Sequence, residues 1–282
     1  MIVITGAGGR LGGAVVAELL ERTGGAGLRI STTRPEALGE LADRGVEVVR
    51  GDYDDAASLR AAFDGADRVL LVSAPRHGES ALDAHRTAIH AASAAGVGRL
   101  FYTSHVGADP LSPFPPAVTH AATEVMLRES GIAFTALRNG FYVDTPLRLL
   151  RSAAEHGVLR VPSEAPVSWT AHRDLAPGIA SLLLDDTVSD PAITLTSGEA
   201  LDLEGLAPIA SAVLGSPIRV ERLSDDEYAA ELVGAGMPDA AVSMMLGIFR
   251  ASRQRRLGIV DPTLGTLLGR PTTPLAELLG EE

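Results

Sequence analysis

Between residues 6 and 12 the chain reads Gly-Ala-Gly-Gly-Arg-Leu-Gly. Glycines at positions 6, 9 and 12 suit a tight turn, a close backbone approach to a ligand and close packing of a following helix. The ligand would be an anion, because free N–H groups and the positive end of the helix dipole converge at such a turn. In a chain with 30 glycines the spacing alone says little. The setting says more. Ile2-Val3-Ile4-Thr5 is a β-branched strand pattern, and Leu11, Val15, Leu19 and Leu20 fall at helical spacing. The other common phosphate-binding loop would need Lys followed by Ser or Thr, and neither is present. Strand, glycine turn and helix together predict a dinucleotide pyrophosphate on Gly6, Gly8, Gly9, Arg10, Leu11 and Gly12.

About twenty residues past the turn, a carboxylate would usually meet a ribose 2′-hydroxyl. The end of the second strand, Leu28 to Thr32, instead leads into Thr33 and Arg34. A guanidinium in that place favours a 2′-phosphate, so NADP(H) is expected in preference to NAD(H), with an ordinary surface charge as the alternative for Arg34. Asp52 and Tyr53 follow a third strand at Val46 to Arg50, and Ser73, Ala74 and Pro75 end a fourth that starts at Arg68. Both groups lie at carboxyl ends of strands, the edge where parallel sheets bind ligands, although a plain loop role for Asp52 and Tyr53 stays open. A fifth strand, from Arg99, ends at Thr103; Ser104 follows it and could hydrogen-bond a carbonyl oxygen.

The elements that must position these residues alternate strand and helix through the first half of the chain, the rhythm of an α/β doubly wound parallel sheet. Pro35 starts a helix expected to run to Arg44, Asp54 or Asp55 caps the helix carrying Leu59 and Phe63, and Ser80 to Ala95 forms a long alanine-rich helix. On that helix His85 and His90 point in different directions and read as packing or surface residues. Pro110 to Pro116 reads as a surface excursion or a lid. A sixth strand is expected at Ile132 to Leu137. From Asp144 the rhythm loosens: Asp174 caps a helix reaching Leu184, Ser224 caps another, and a methionine-bearing helix starts at Asp239. The division that follows is residues 1–143 for the dinucleotide and 144–282 for a smaller substrate-covering region interleaved with it, without a linker rich in Gly, Pro and Ser.

With 282 residues the chain can bury a substantial core, and no run of apolar residues is long enough to span a membrane. It begins on its first strand without a secretory pattern, so a cytoplasmic location is expected. The absence of cysteine excludes disulfides, thiolate metal sites and cysteine nucleophiles, and no metal site is expected. A net charge of −12 argues against a nucleic-acid partner, with the cluster Arg250, Arg253, Arg255 and Arg256 read as a solvated helix end. All 24 residues of the Lys and Arg class are Arg.

Four segments together carry a family likeness: Gly6 to Gly12, Ala91 to Gly107, His120-Ala-Ala-Thr-Glu124 and Arg138-Asn-Gly-Phe-Tyr142. In combination, and with the late Leu268 to Pro271, the chain resembles the NmrA-like branch of the atypical short-chain dehydrogenase/reductases, and within it the type-2 NADPH:quinone oxidoreductases. The resemblance implies an extended Rossmann fold, NADP as cofactor and a small planar quinone-like acceptor. Members of the wider superfamily use a Tyr-x-x-x-Lys pair, in which Lys lowers the Tyr pKa. A chain without lysine cannot hold that pair. Its usual place carries Thr119, His120, Thr123 and Glu124, and the resembling reductases also have His and Thr-Glu there.

Residues four apart share a helical face, so Glu124 is expected to orient His120, which would hold the nicotinamide ribose or deliver a proton; a solvated surface pair is the alternative. The resemblance also places Asn139, Phe141 and Tyr142 near the nicotinamide, whereas Asn-Gly taken alone is a turn signal. His120, Tyr142 and Ser104 are the expected catalytic residues, and Thr103, His120, Asn139 and Phe141 join the cofactor set. Trp169 could stack on a planar substrate or belong to the core. The expected activity is direct hydride transfer from NADPH to the acceptor, without a Tyr-Lys pair. A non-catalytic NADP-binding redox sensor and a specialised-metabolite reductase or isomerase remain the alternatives, and a homodimer is left open.

Overall fold

The computed structural model describes residues 1–281. In chain order its elements are β1 (Ile2–Thr5), α1 (Arg10–Thr23), β2 (Leu28–Thr32), α2 (Gly39–Asp43), β3 (Glu47–Arg50), α3 (Ala56–Phe63), β4 (Arg68–Leu71), α4 (Glu79–Ala94), β5 (Arg99–His105), α5 (Pro115–Glu129) and β6 (Phe134–Asn139). They continue as β7 (Phe141–Tyr142), α6 (Asp144–His156), β8 (Val158–Pro162), β9 (Trp169–Thr170), α7 (His172–Leu184), β10 (Ala192–Leu195), α8 (Leu203–Leu214), β11 (Arg219–Leu223), α9 (Asp225–Gly234), α10 (Asp239–Arg253), α11 (Thr263–Leu268) and α12 (Leu275–Gly280). Two compact units emerge. Among the described residues, one comprises 1–110, 116–139 and 172–195, the other 111–115, 140–171 and the chain from 196 onward.

The first unit is built on a seven-stranded sheet in the order β10-β6-β5-β4-β1-β2-β3, with every pairing parallel. The direction of strand progression reverses between β1 and β4, the switch point where doubly wound sheets bind ligands at their carboxyl edge. Side chains alternate across the strands. Val3, Val69, Leu71, Leu100 and Tyr102 pack with the apolar faces of α3, α4 and α5. Residues of the opposite parity, Ile4, Leu70 and Phe101, are fully buried as well, the pattern of a sheet covered on both faces. α1 packs along α7, and the Arg22 guanidinium fastens the two by donating to Ser181 Oγ at 2.8 Å and to Pro177 O at 3.2 Å.

The second unit packs α6, α8, α9, α10 and α12 around Leu150, Leu159, Leu206, Tyr228, Phe249 and Leu278. Two short parallel pairs, β8 with β11 and β7 with β9, complete it. Ser224 forms the expected cap as a full capping box with Glu227. Arg250 and Arg253 at the end of α10 both pair with Asp225 at 2.8 Å. No helix among the described residues is long and apolar enough to cross a membrane.

Several local expectations shift. The segment after Pro35 is a short 3-10 turn, Pro35–Leu38, followed by the five-residue α2, and neither buries a residue. With no face to bury, a longer helix gains nothing from packing. Asp174 lies inside the first turn of α7, which starts at His172. Asp55, not Asp54, caps α3, accepting from Ala57 N–H and Ser58 N–H at 3.1 Å. β6 starts two residues late, because a turn through Gly131, with φ of +72°, occupies residues 130–132. It also ends later. Arg138 and Asn139 stay in the ladder opposite Ser104 and His105, which places four polar side chains at one sheet edge.

Candidate functional site

The glycine turn is shaped by contacts that a side chain would destroy. Gly6 has φ of +64°, and a Cβ there would lie 2.9 Å from Val72 Cβ, just after β4. A Cβ on Gly12 would lie 2.3 Å from Gly6 O, so the first turn of α1 rests directly on the turn's own backbone. Gly8 is different: nothing lies within 4 Å of its Cβ position, and the turn is open on that side. α1 has no side-chain cap and no acidic residue in its first turn. Its first intrahelical bond runs from Gly13 N–H to Gly9 O at 2.9 Å, which leaves the preceding amides without an intrahelical acceptor. An uncapped 14-residue helix opening on a bare glycine face has the donors and the space for a pyrophosphate.

At the end of β2, Arg34 is exposed and makes no ion pair with the described residues, while its N–H donates to Thr32 Oγ1 at 3.3 Å. On the other flank Tyr53 is committed to the scaffold. Its hydroxyl lies 2.8 Å from Thr5 Oγ1 and donates to Val72 O, and burial pushes its pKa up. Asp52 lies between Ser58 Oγ, which accepts from its N–H at 3.0 Å, and Arg50, 3.5 Å from its carboxylate. Ser73 N–H donates to Thr103 Oγ1 at 2.8 Å, and Ala74 N–H to His85 Nε2 at 2.9 Å.

That last bond belongs to a chain that sequence reasoning missed. Thr123 Oγ1 donates to Thr119 O at 2.9 Å and therefore accepts from His85 Nδ1–H at 2.8 Å. The partners assign the tautomer, and burial lowers the His85 pKa to about 4. His85 is thus a neutral clip between α4, α5 and the turn after β4. The signal was available: residue 85 falls four positions from both Ala81 and Ile89 on the buried face of its helix.

Above the ends of β5 and β6 a polar cluster forms. Tyr102 OH lies 2.8 Å from His120 Nδ1, the His105 ring stacks on His120 at 6.0 Å, and the His85 ring meets Tyr102 edge-on at 5.3 Å. Burial, reinforced by repulsion from His105 and His85, holds the His120 pKa well below 6.5, and burial alone takes His105 to about 4. The expected contact between His120 and Glu124 does not form. Glu124 is buried and accepts from Ser104 Oγ at 2.7 Å, from Arg138 Nε at 3.0 Å and from Arg138 Nη2 at 2.6 Å. The competing partner is a fixed guanidinium with two matched donors, which an imidazole cannot equal. The Ser104 hydroxyl proton is therefore engaged by Glu124, leaving the oxygen lone pairs for other partners.

Asn139 is 1% exposed, and neither its Oδ1 nor its Nδ2 has a hydrogen-bond partner among the described residues. Leaving one buried amide atom unpaired costs about 1–3 kcal/mol, so an amide that pairs with nothing in the protein marks a place for another group. Together with the uncapped helix and unpaired Arg34, it fits the chain to a dinucleotide cofactor.

In the second unit, Phe141 is buried between Phe114, at 5.2 Å, and Trp169, which meets it edge-on at 5.8 Å. The Trp169 indole donates to Leu201 O at 2.9 Å. A Cβ on Gly140 would fall 2.1 Å from Thr170 Oγ1, so the chain entering β7 lies against its parallel partner β9 too closely for a side chain. Tyr142 is 37% exposed. The excursion expected at Pro110 to Pro116 ends at Phe114, because Pro115 and Pro116 open α5; it carries the buried Phe114 and the exposed Leu111.

The chain is 34% identical over 278 residues to quinone oxidoreductase 2 of Escherichia coli (strain K12), covering 98% of this chain and 96% of that protein. Its fold superposes on an NADPH-dependent quinone oxidoreductase of Escherichia coli complexed with NADPH with a TM-score of 0.93, at 33% identity over 99% of this chain and 98% of the other. A triphenylmethane reductase of Citrobacter sp. complexed with NADP(H) gives a TM-score of 0.91, at 31% identity over 99% of both chains. Residues 1–266 match the model of the NmrA-like family, and the chain belongs to that family.

Proposed function

We propose that the chain is an NADPH-dependent oxidoreductase that reduces a small, planar, electron-poor acceptor of the quinone class. The observation that carries this reading is the open glycine face at an uncapped helix start, placed at the switch point of a parallel sheet. The full-length relation to a quinone oxidoreductase supports the acceptor class. Bound at the turn, NADPH would supply a hydride from its nicotinamide. The amides of Leu11 and Gly12 would meet the pyrophosphate, Arg34 the 2′-phosphate, and the orphaned Asn139 amide the nicotinamide end.

His120 holds no carboxylate partner among the described residues, and burial keeps it neutral near pH 7. In this reading Tyr102 OH, 2.8 Å from His120 Nδ1, would donate to it, leaving the proton on Nε2 and making the ring a hydrogen-bond donor to the oxygen that gains charge as the acceptor is reduced. Reduction of a quinone needs orientation and exclusion of water more than an ionised nucleophile. A chain with no lysine therefore needs no Tyr-Lys pair for this reaction.

The test is NADPH consumption with a panel of quinones, azo dyes and triphenylmethane dyes. We expect turnover with quinones and a primary isotope effect when the nicotinamide C4 carries deuterium. Tight NADPH binding without consumption across the panel would overturn the reductase reading in favour of a redox sensor, and product formation without net NADPH oxidation would favour an isomerase. Arg34→Ala is expected to raise the Kd for NADPH about 10-fold and leave that for NADH within about 2-fold, the range of a charge-assisted phosphate contact. Equal losses for the two cofactors would remove Arg34 from the 2′-phosphate.

A further inference from the structure

One ion pair in the first unit joins loops that the sheet holds far apart. Asp54 follows β3 and Arg76 follows β4, strands separated in the sheet by β1 and β2. At about 4.8 Å per step, their ends are roughly 14 Å apart. The two side chains nevertheless meet in a bidentate pair, Arg76 Nη1 to Asp54 Oδ1 and Arg76 Nη2 to Asp54 Oδ2, both at 2.6 Å. Between the bridged loops lie the carboxyl ends of β1 and β2, which carry the glycine turn and Arg34.

The neighbouring residue makes a second crosslink between the same loops. Tyr53 reaches Thr5 on β1 and Val72 after β4 from a partly buried position, so it closes the floor of the crevice. Asp54 and Arg76 are partly exposed, at 65% and 34%, and close its rim. A ligand extended from Gly8 toward Arg34 runs between floor and rim. A fork of two parallel charge-assisted bonds fixes direction as well as distance, which a single contact between flexible side chains does not.

We propose that the Asp54–Arg76 pair is a clamp across the adenosine half of the cofactor crevice, positioning the cofactor and slowing its release. The inference rests on NADPH being the ligand. It differs from a role for Arg76 as a direct phosphate contact, because in a clamp both partners are needed and each is useless alone.

The test measures NADPH Kd and off-rate for Asp54→Ala, Arg76→Ala, the double variant and the charge swap Asp54→Arg with Arg76→Asp, with melting temperatures as a folding control. A clamp predicts that each single variant raises the off-rate about 3- to 5-fold, the upper range for an exposed pair with good geometry. It also predicts that the double variant is no worse than either single one, that the swap restores most of the loss, and that added salt weakens wild type more than the variants. Tighter binding by Asp54→Ala with weaker binding by Arg76→Ala would overturn the clamp and make Arg76 a phosphate ligand. NADPH bound at unchanged affinity by all variants would overturn the clamp alone. A wild-type protein that does not bind NADPH would overturn the cofactor reading and the clamp with it.

Discussion

Gly12→Ala is expected to weaken NADPH binding at least about 100-fold, roughly 2.7 kcal/mol, and to lower the melting temperature. The added Cβ would stand 2.3 Å from Gly6 O and 2.8 Å from Gly6 C, both backbone atoms of the turn that must present its amides to the pyrophosphate. No rotamer change relieves a clash between Cβ and backbone, so either α1 retreats or the turn is pushed out of shape. Gly8→Ala separates the two consequences. Its Cβ meets nothing within 4 Å, so stability should stay within about 0.5 kcal/mol of wild type. The methyl group nevertheless projects into the open face, and NADPH Kd should rise about 10-fold as the pyrophosphate loses its close approach. Isothermal titration with NADPH and thermal unfolding of both variants check this pair. Wild-type affinity in Gly12→Ala would remove the turn from the site, and wild-type affinity in Gly8→Ala would move the pyrophosphate elsewhere.

The turn was legible because its chemistry is local. Strand, glycines and helix occupy some twenty consecutive residues, and each step obeys a rule about neighbours along the chain. The parallel sheet was legible for the same reason, through a strand and helix alternation that does not depend on which strands pair. The polar cluster was harder to read because its partners meet only after β5 and β6 lie in register. Helical spacing joined His120 to Glu124, but the register places Arg138 beside Ser104 and thereby supplies Glu124 with a better partner. Tyr102 lies within β5, and only the fold brings its hydroxyl to His120, 18 residues along the chain. The Asp54–Arg76 bridge is further from sequence reasoning still, since nothing in two loops 22 residues apart says that they will face each other over the intervening strands.

His120→Phe is expected to lower kcat with a quinone about 100-fold while NADPH Kd stays within about 2-fold of wild type. The phenyl ring preserves the stack on His105 and the contact with Tyr102, so the fold should persist, but no donor remains to meet charge developing on the acceptor oxygen. Loss of one well-placed donor in a water-poor site costs about 10²–10³ in rate. Tyr102→Phe should lose about 10-fold, because His120 keeps its ring but loses the hydrogen-bond partner of its Nδ1.

The pH profile distinguishes this role from general acid catalysis by an imidazolium. Burial and repulsion from His105 and His85 depress the His120 pKa well below 6.5, so its neutral form is the populated one on both sides of pH 7. Wild-type kcat should accordingly be flat from about pH 6 to 8, with no acid-side gain from protonating His120. A kcat that rises as pH falls through 6.5, and loses that limb in His120→Phe, would show an imidazolium donor and overturn the neutral role. An unchanged Kd with unchanged kcat in His120→Phe would remove His120 from the reaction. A raised NADPH Kd with kcat intact would assign it to the nicotinamide ribose instead.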